Sequence, residues 1–419
     1  MSSSIPSGPT DICVIGAGIV GLCTALFLQR AGFSVTVFDE GQPGGASSYG
    51  NGGLLSPHSC MPMSMPGMLT QVPKWLLKRD GPLALDPAYA LTAAPWLTQW
   101  VRAGTSKQLE RSASALNSLH SNAIDIYRDL LGPDDFRRLI RTTGQVHVWE
   151  SPVASKREEI SAAYRARFGI KAEVLSRSRL RDMVPALTTK ISRALYYPGA
   201  GHTVSPLQLA RTVAEKYVEA GGFLVNERIH KVIPTGTGYR LLASCRDVIA
   251  RRVVVSAGAW SSELLQPLQV QLPLEAERGY HVELLNASIC PEFPVLNQDR
   301  AFGAIQMENG LRFAGWVDIA GMVKVPDERR GDAMLAQALD MFPGLTFEKR
   351  SFWMGFRPGT PDSLPVLSQV DQHPGVFVAT GHGHTGVTAG AVSGLLMSQL
   401  ISGAKPLVDI APFSLNRFH

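Results

Sequence analysis

The sequence predicts a protein of the α/β class, and three observations carry this prediction. An apolar run at residues 11–15 leads into a Gly-x-Gly-x-x-Gly motif at 16–21, which begins a helical segment. A second apolar run at 33–38 ends in two acidic residues, and further strand-like runs occur at 253–256 and 376–379. Strand, glycine turn, helix and strand in this order are typical of a βαβ unit. The later runs indicate that distant parts of the chain add strands to the same sheet.

Each glycine of the motif meets a steric requirement. Gly16 lets the chain turn sharply after the strand, and Gly18 lacks a side chain that would hold off a pyrophosphate. Gly21 lets the helix pack closely on the strand, and the free N–H groups at the helix start attract phosphate charge. The motif therefore predicts a dinucleotide-binding turn.

The acidic pair after the second strand indicates which dinucleotides fit. Asp39 directly ends the strand and is the predicted ribose ligand, with Glu40 as the alternative. A carboxylate here accepts hydrogen bonds from ribose hydroxyls, which favours FAD or NAD over NADP. The spacing does not separate FAD from NAD.

Composition excludes several classes of function. A chain of 419 residues suits two domains, or one large domain with an insertion. Its 40 basic and 35 acidic residues give a net charge of +5 without a basic block, so we expect no nucleic-acid partner. The mild positive charge is compatible with an anionic substrate or an anionic membrane surface.

The five cysteines form no Cys-x-x-Cys pair and no zinc spacing. We therefore expect no metal site, and reduced thiols in a cytoplasm. Cys13 and Cys23 fall inside the βαβ unit, where burial as small hydrophobic side chains is the expected role. The polar first ten residues contain no apolar signal-peptide core.

Two windows, 41–73 and 372–404, contain no Asp, Glu, Lys or Arg. The glycine- and serine-rich part of the first, 44–57, fits a loop around a flat ligand, with a flexible linker as the alternative. The second predicts a buried strand, a glycine turn and a buried helix at about 387–402. Glycines and histidines interrupt its apolar run, which argues against a membrane span. Three helix glycines at four-residue spacing predict tight packing.

Apolar periodicity places the remaining elements. We expect helices at 67–78, 89–103, 106–131, 155–183, 205–221 and 329–342. Strands are expected at 144–149, in a meander at 223–226, 231–233 and 239–244, and over most of 278–325. The blocks between the strands of the dinucleotide-binding unit would supply a second domain.

Further motifs carry a resemblance to a known family. They lie at 47–57, 253–261, 278–280, 353–362 and 380–388. Together with the N-terminal turn they cover nearly the whole chain. The pattern resembles the D-amino-acid oxidase superfamily of FAD-dependent oxidoreductases, most closely its bacterial D-amino acid dehydrogenases of the small-subunit type. The arginine motif followed by Gly-His-Gly is its most specific part.

The resemblance implies a Rossmann-like FAD-binding domain of the glutathione-reductase-like type, discontinuous in sequence. A second, α+β domain with a mixed antiparallel sheet would bind the substrate. The FAD-binding domain would comprise residues 8–60, 196–270 and 350–410. The substrate-binding domain would comprise residues 61–195 and 271–349.

The resemblance also implies which residues hold a non-covalent FAD. The serine and glycine loop would hold the pyrophosphate and the flavin ring through Ser47, Ser48, Asn51, Gly52, Gly53 and Leu54. The backbone at Ile229 would meet adenine, and three residues would pass close to the cofactor: Ala257, Gly258 and Trp260. The turn near the flavin N1/O2 edge would comprise Gly381, His382, Gly383, His384, Thr385, Gly386 and Thr388. A helix start at this place suits a negatively charged reduced flavin.

Three side chains are implied to act on the substrate. Arg357 would form a forked pair with the substrate carboxylate, which lysine cannot copy. Taken alone, an arginine before a proline turn is more often a structural ion-pair residue, and the resemblance reverses this reading. Tyr280 would add its hydroxyl to the same carboxylate. His384 departs from the Gly-His-Gly-Thr pattern of relatives, and it is either a residue that faces flavin or substrate or a hydrogen-bonded loop histidine.

The implied reaction is oxidative deamination of a D-amino acid, or of an imino acid such as D-proline. The α-hydrogen would leave as hydride to flavin N5, and the imine would hydrolyse to a 2-oxo acid and ammonia. Position and charge are needed rather than a nucleophile, because the cofactor supplies the chemistry. The electrons would pass to a quinone or another respiratory-chain acceptor.

Two alternatives remain open at this stage. One is an O₂-using oxidase of glycine, sarcosine or L-imino acids on the same fold. The other is a flavin-carrying subunit that passes electrons to a membrane partner. The apolar and basic segment 66–79 fits peripheral contact with the inner face of the cytoplasmic membrane, or a buried helix of the second domain.

Overall fold

The computed structural model of the chain describes residues 10–67 and 81–418. The expected helix at 67–78 and most of the segment 66–79 lie outside the described residues. The described strands, numbered in chain order, are β1 (Thr10–Ile15), β2 (Val35–Asp39), β3 (Leu54–Leu55), β4 (Leu83–Leu85), β5 (Ile140–Arg141), β6 (Gln145–Trp149), β7 (Glu173–Val174), β8 (Arg193–Tyr197), β9 (Gly201–Thr203), β10 (Phe223–Asn226), β11 (Ile229–Thr235), β12 (Gly238–Ala243), β13 (Asp247–Val255), β14 (Glu275–Leu285), β15 (Val295–Asn297), β16 (Phe302–Met307), β17 (Gly310–Ile319), β18 (Lys349–Gly359), β19 (Val366–Val370) and β20 (His373–Thr380).

The described α-helices are α1 (Ile19–Arg30), α2 (Ala90–Ala103), α3 (Ser106–His120), α4 (Ala123–Leu131), α5 (Pro133–Leu139), α6 (Lys156–Arg167), α7 (Arg177–Met183), α8 (Pro206–Glu219), α9 (Ser261–Leu265), α10 (Glu328–Met341) and α11 (Gly386–Ser402). A single 3₁₀ turn, Gly383–Thr385, leads into α11.

The first sheet has a parallel core in the order β10-β2-β1-β13-β20, and β19 adds to β20 in the antiparallel sense. The first half of β13 also forms an antiparallel meander with β12 and β11. Strand β1 is apolar from Ile12 to Ile15 because helices cover one face and the meander covers the other. Ile12 and Val14 face the helix side, whereas Cys13 and Ile15 face the meander side.

Helix α11 packs on α1 at very short range. A methyl group at Gly394 would lie 2.6 Å from the backbone carbon of Cys23, and one at Gly390 would lie 3.1 Å from the Ile19 side chain. The second charge-free window is therefore a buried strand followed by a tightly packed helix, as predicted. Cys13 and Cys23 are both fully buried, as predicted. In the part of the chain that the structure describes, no helix is long and apolar enough to span a membrane.

The second sheet is mainly antiparallel, in the order β18-β14-β17-β16-β15-β6-β8-β7, with β4 beside β17. Its apolar face packs against α7 and α10, with Leu180 and Met334 among the buried contacts. Strand β18 reaches over to the carboxyl ends of the first sheet's parallel strands. The two sheets therefore face each other across a cavity, and this places the site.

Several sequence predictions hold, and others are corrected. The helices expected at 89–103, 205–221 and 329–342 are present within one or two residues at each end. The helix expected at 106–131 is two helices, because the chain breaks at 121–122, where a serine and an asparagine are poor helix formers. The block 155–183 is not one helix, since α6 and α7 are separated by strand β7.

Two strand assignments differ from the prediction. Strand β10 was expected in a meander, but it pairs with β2 in the parallel core. The place of β11 and β12 in the meander is as expected, with β13 as its third strand. Strand β18 pairs with β14 in the second sheet, although the domain boundary at 350 would assign it to the FAD-binding domain. The sheet to which each strand belongs depends on hydrogen bonds to strands far away in the sequence, and local periodicity contains no information on these partners.

Candidate active site

A cavity of about 600 Å³ lies at the carboxyl ends of β1, β2, β13 and β20. This edge of a parallel sheet is where open α/β folds bind ligands. The volume falls within the ordinary range of small-molecule and cofactor sites. Strand β18 covers the cavity from the second sheet, with Trp353, Gly355 and Arg357 in its wall.

The glycine turn between β1 and α1 forms one end of this cavity. Gly16 has φ +110°, and a side chain there would collide with the backbone of Ser256. A side chain at Gly21 would collide with the carbonyl oxygen of Gly16. At Gly18, by contrast, an added methyl would meet only the Ser48 hydroxyl, at 3.5 Å. The protein thus needs glycine for its own packing at 16 and 21, whereas the bare backbone at 18 faces an open cavity.

Asp39 ends β2 beside this turn. One carboxylate oxygen accepts a hydrogen bond from the Ala17 N–H at 2.7 Å, and the other accepts one from the Gly41 N–H at 2.8 Å. Glu40 lines the same cavity, but its exposed carboxylate lies 3.4 Å from the Arg228 guanidinium. Each Asp39 oxygen keeps a second lone pair. The carboxylate at 39 is therefore held against the glycine turn, where it can accept further hydrogen bonds.

The glycine- and serine-rich loop at 44–57 is tied to helix α1 and to strand β18. Ser48 Oγ accepts from the N–H of Ile19 in the first turn of α1 at 3.0 Å, and Ser47 Oγ donates to the carbonyl of Phe356 at 2.6 Å. Gly50 lies against the Trp353 ring, where a side chain would collide. These contacts make the segment a wall of the cavity rather than a flexible linker.

The predicted cofactor residues divide into two groups by position. Those that line the large cavity are Gly16, Gly18, Asp39, Glu40, Ser47, Ser48, Asn51, Ile229, Ala257, Gly258, Trp260, His382, Gly383 and Gly386. Those outside its wall are Gly21, Gly52, Gly53, Leu54, Gly381, His384, Thr385 and Thr388. In the second group, Thr388 Oγ1 donates to the carbonyl of Leu54 at 2.8 Å, so it joins α11 to β3.

The turn before α11 brings a helix N-terminus to the cavity. His382 is buried, and its Nε2 lies 2.8 Å from Ser393 Oγ. Burial lowers the pKa of His382 to about 3, so the ring is neutral. Gly383 has φ +52° and lines the cavity, followed by Gly386 at the first position of the helix. The positive end of the helix dipole therefore points at the site.

Arg357 lies on β18 above the cavity. Its Nη1 donates to the carbonyl of Trp316 at 2.8 Å, and its Nη2 donates to that of Gly315 at 3.2 Å. Strand β17 has one extra residue here relative to β14, and Trp316 has φ +52°. This bulge presents both carbonyls to the guanidinium, as bulges beside active sites do. The guanidinium also occupies the space above Gly279, where a side chain would overlap it.

The structure corrects the expectation for Tyr280. In the antiparallel pair of β14 with β18, Arg357 is opposite Glu277, whereas Tyr280 is opposite Met354 on the other face. The Tyr280 hydroxyl donates to Asp318 Oδ2 at 2.7 Å, and the residue is buried. Residues at odd and even positions of a strand point to opposite faces, so this hydroxyl cannot meet a carboxylate held by Arg357.

Glu277 lies on the Arg357 face of β14, and sequence reasoning missed it. It lines a second, smaller cavity of about 20 Å³, together with His384, Thr385 and Gly381. The sequence offered no signal that singles Glu277 out, because the same strand also carries Glu275 and Glu283. Trp353 was quoted only as part of a motif, yet its ring lines the large cavity and stacks on His281 with centroids 5.2 Å apart.

The charges of this site shift one another. Burial lowers the pKa of Arg357, and the nearby Glu277 opposes that shift. Burial raises the pKa of Glu277 to about 7, with Arg357 lowering it and Glu275 raising it. The surrounding protein lowers the pKa of His384, and the Arg357 charge lowers it further. The His384 ring is therefore neutral at pH 7; it lines the smaller cavity, and the residue is exposed.

Within residues 10–67 and 81–418, no group of three or more His, Cys, Asp or Glu side chains is arranged to hold a metal ion. A phosphate-binding turn, an acid at the ribose position and an arginine over the same cavity define a class of protein. It is an α/β protein that binds a dinucleotide at the carboxyl edge of a parallel sheet.

Comparison with known proteins gives the family. The family model "DAO: FAD dependent oxidoreductase" matches residues 11–400, and the chain belongs to this family. A D-amino-acid oxidase of Bradyrhizobium diazoefficiens is 32% identical over 99% of this chain and 100% of its own length. A D-amino acid dehydrogenase of the same organism is 29% identical over 97% of this chain and 98% of its own length.

A solved structure agrees with this assignment of the fold. The crystal structure of glycine oxidase from Geobacillus kaustophilus superposes with a TM-score of 0.72 at 21% identity, covering 98% of this chain and 99% of that one. The predicted α/β fold with an FAD-binding domain and a second, mixed sheet is thereby confirmed, as is FAD as the cofactor.

The residues of the cavity fit FAD on physical grounds. The open backbone at Gly18 and the two helix N-termini of α1 and α11 suit groups that carry negative charge. Asp39 is anchored with lone pairs that can still accept hydrogen bonds from ribose hydroxyls. The hydrogen-bonding groups and the volume of the cavity are therefore compatible with FAD, the cofactor of the family.

Proposed function

We propose that this protein is an FAD-dependent dehydrogenase of D-amino acids, which it converts to 2-oxo acids and ammonia, and of imino acids such as D-proline, which it converts to a cyclic imine. The observation that carries the proposal is Arg357, a half-buried guanidinium fixed by two carbonyls above the dinucleotide cavity. A fixed arginine fork selects a carboxylate, and the named relatives support an amino acid as its bearer.

The chain's own residues would divide the work. The glycine turn, Asp39 and the loop residues Ser47 and Ser48 would hold FAD, and Arg357 would orient the substrate carboxylate. Bound FAD supplies an acceptor for the hydride that leaves the substrate Cα. The carbonyls of Gly315 and Trp316 would keep the arginine from turning away when the site is empty.

We further propose a quinone or another respiratory-chain acceptor and a cytoplasmic location. The dehydrogenase relative supports the acceptor, and five cysteines without a disulfide support the location. The oxidase relative favours O₂ as the alternative acceptor. Stoichiometric peroxide release at the full turnover rate would assign the protein to the oxidases, whereas faster turnover with quinones or dyes supports a dehydrogenase.

The substrate is tested by anaerobic bleaching of the flavin with a panel of D- and L-amino acids. The proposal expects bleaching by D-amino acids, and bleaching by L-amino acids or glycine alone would refute it. Removing one partner of a buried charge pair costs about 2–5 kcal/mol. Arg357→Met should therefore raise KM at least about 30-fold, while Arg357→Lys recovers only part of the loss.

The control substrate is an amino-acid amide, which lacks the carboxylate. It should be poor for the parental enzyme and should lose much less when Arg357 is replaced. Parental kinetics in Arg357→Met would show that the carboxylate is bound elsewhere. Flavin content should stay near one per chain in each variant.

A further inference from the structure

The carboxylate of Glu277 lies beside Arg357, but the described hydrogen bonds of the guanidinium go to two backbone carbonyls instead. Strands β14 and β18 pair Glu277 directly with Arg357, and such opposite residues share one face of the sheet. Yet in the described chain the guanidinium donates to the carbonyls of Gly315 and Trp316. The two side chains thus lie side by side, with Arg357 in the wall of the large cavity and Glu277 in the wall of the small one.

The neighbour on the other side of Glu277 fixes where its carboxylate lies. A methyl group at Gly359 would collide with the Glu277 carboxylate, so the carboxylate sits over the bare backbone at 359. Gly359 also forms an isolated antiparallel bridge with His382. The carboxylate therefore lies between Arg357 and the turn at 381–385, which borders the large cavity.

The titratable groups around Glu277 come from four elements. Arg357 faces it from β18, and Glu275 lies two positions away on β14. His384 from the turn before α11 and His120 from the end of α3 line the same small cavity. Glu275 is occupied differently, because it accepts hydrogen bonds from the Tyr89 hydroxyl at 3.4 Å and from the Ala276 N–H at 3.2 Å. Glu277 is the only carboxylate among the residues that line the small cavity.

We propose that Glu277 binds the ammonium group of the substrate and accepts one of its protons. An amino acid in solution carries both a carboxylate and an ammonium group, and adjacent Arg357 and Glu277 match the two charges. This inference rests on the proposed function and adds a catalytic residue to it.

In this step one proton of the ammonium goes to Glu277, and the electron pair of the N–H bond stays on nitrogen. One N–H bond of the ammonium breaks, its proton joins a Glu277 oxygen, and the nitrogen keeps the electron pair. That pair forms the C=N bond as the Cα–H bond breaks, and the hydride with its two electrons is accepted by FAD. The proton on Glu277 later passes to water in the cavity.

Burial raises the pKa of Glu277, which makes its carboxylate a better proton acceptor. With a pKa of about 7, it is a carboxylate above that pH and a fair acceptor near it. Since burial raises the pKa, the protonated form dominates at lower pH, and the parental kcat/KM should rise as pH increases through about 7. Glu277→Gln should abolish that rise, and the remaining dependence should follow the amine of the free substrate.

Binding without turnover tests the inference directly. The ligand pair is 2-aminoisobutyrate, which has no Cα hydrogen and cannot be oxidised, and isobutyrate, which lacks only the amine. Flavin absorbance changes of the holoenzyme would report both affinities. Glu277→Gln should weaken 2-aminoisobutyrate at least about tenfold and should leave isobutyrate equal or tighter, because a negative charge has been removed beside Arg357.

Matched variants make the result specific. Glu277→Asp retains the charge and should recover part of the 2-aminoisobutyrate affinity. Glu275→Gln, on the same strand, should leave the ratio of the two affinities unchanged. Equal losses for both ligands in Glu277→Gln, or the same ratio change in Glu275→Gln, would overturn the role of Glu277. If no D-amino acid bleaches the parental flavin, the proposed function itself is wrong, which is a separate outcome.

Discussion

Replacing Gly279 by alanine should displace the Arg357 guanidinium while leaving Arg357 itself in the sequence. The new methyl would lie 2.5 Å from Nε and Nη2 of Arg357, whereas an ordinary contact begins at 3.4 Å. The guanidinium must therefore move by about 1 Å, away from the carbonyls of Gly315 and Trp316 that hold it. A misplacement of this size costs on the order of 100-fold in rate for a group that orients substrate.

Gly279→Ala should thus lower kcat/KM for the best D-amino acid about 100-fold, measured at limiting substrate with an artificial acceptor. The fold should survive, because the displaced atoms are the end of a flexible side chain, and flavin content and melting temperature should stay near parental values. Gly199→Ala is the matched control, since a methyl there meets nothing within 4 Å. Parental kcat/KM in Gly279→Ala would refute the placement of Arg357 as the carboxylate ligand.

Four further substitutions separate folding from function. Gly18→Ala should leave the melting temperature of the apoprotein unchanged and weaken FAD at least about tenfold, whereas Gly21→Ala should destabilise the apoprotein itself; an equal loss of stability in both would contradict the reading of Gly18. Tyr280→Phe should cost about 1–2 kcal/mol in denaturant unfolding with kcat/KM unchanged, and a large rise in KM would restore a substrate role for its hydroxyl. Gly394→Ala should cost about 1–3 kcal/mol, because the methyl strikes α1, and an unchanged denaturation midpoint would argue against the close helix contact.

The N-terminal unit could be read from the sequence because its determinants are local. Gly16 and Gly21 are required by backbone contacts within or beside one turn, and Asp39 follows its strand directly. The same holds for the buried helix at 386–402, whose glycine spacing alone indicates a close partner. In such segments the signal is local, although the atoms that require the glycines belong to Ser256 for Gly16 and to Cys23 for Gly394.

The substrate side of the site could not be read in the same way. Alternation along β14 separates Tyr280 from Glu277, but the sequence does not say which face meets the cavity. That choice depends on how the second sheet packs over the first, and on the extra residue at Trp316 that turns two carbonyls toward Arg357. The resemblance therefore pointed to Tyr280, whose hydroxyl lies on the face away from Arg357 and donates to Asp318.

The sequence by itself determined the class of fold and the dinucleotide turn with its acid, because glycine geometry and strand and helix periods act over short distances. Arg357 was singled out only by the resemblance of its motif to a known family. Only the tertiary structure decided that β18 belongs to the second sheet, that Tyr280 is buried against Asp318, and that Glu277 stands beside Arg357. These facts depend on the pairing of strands far apart in the chain, and a register shift of one residue would have exchanged the two faces.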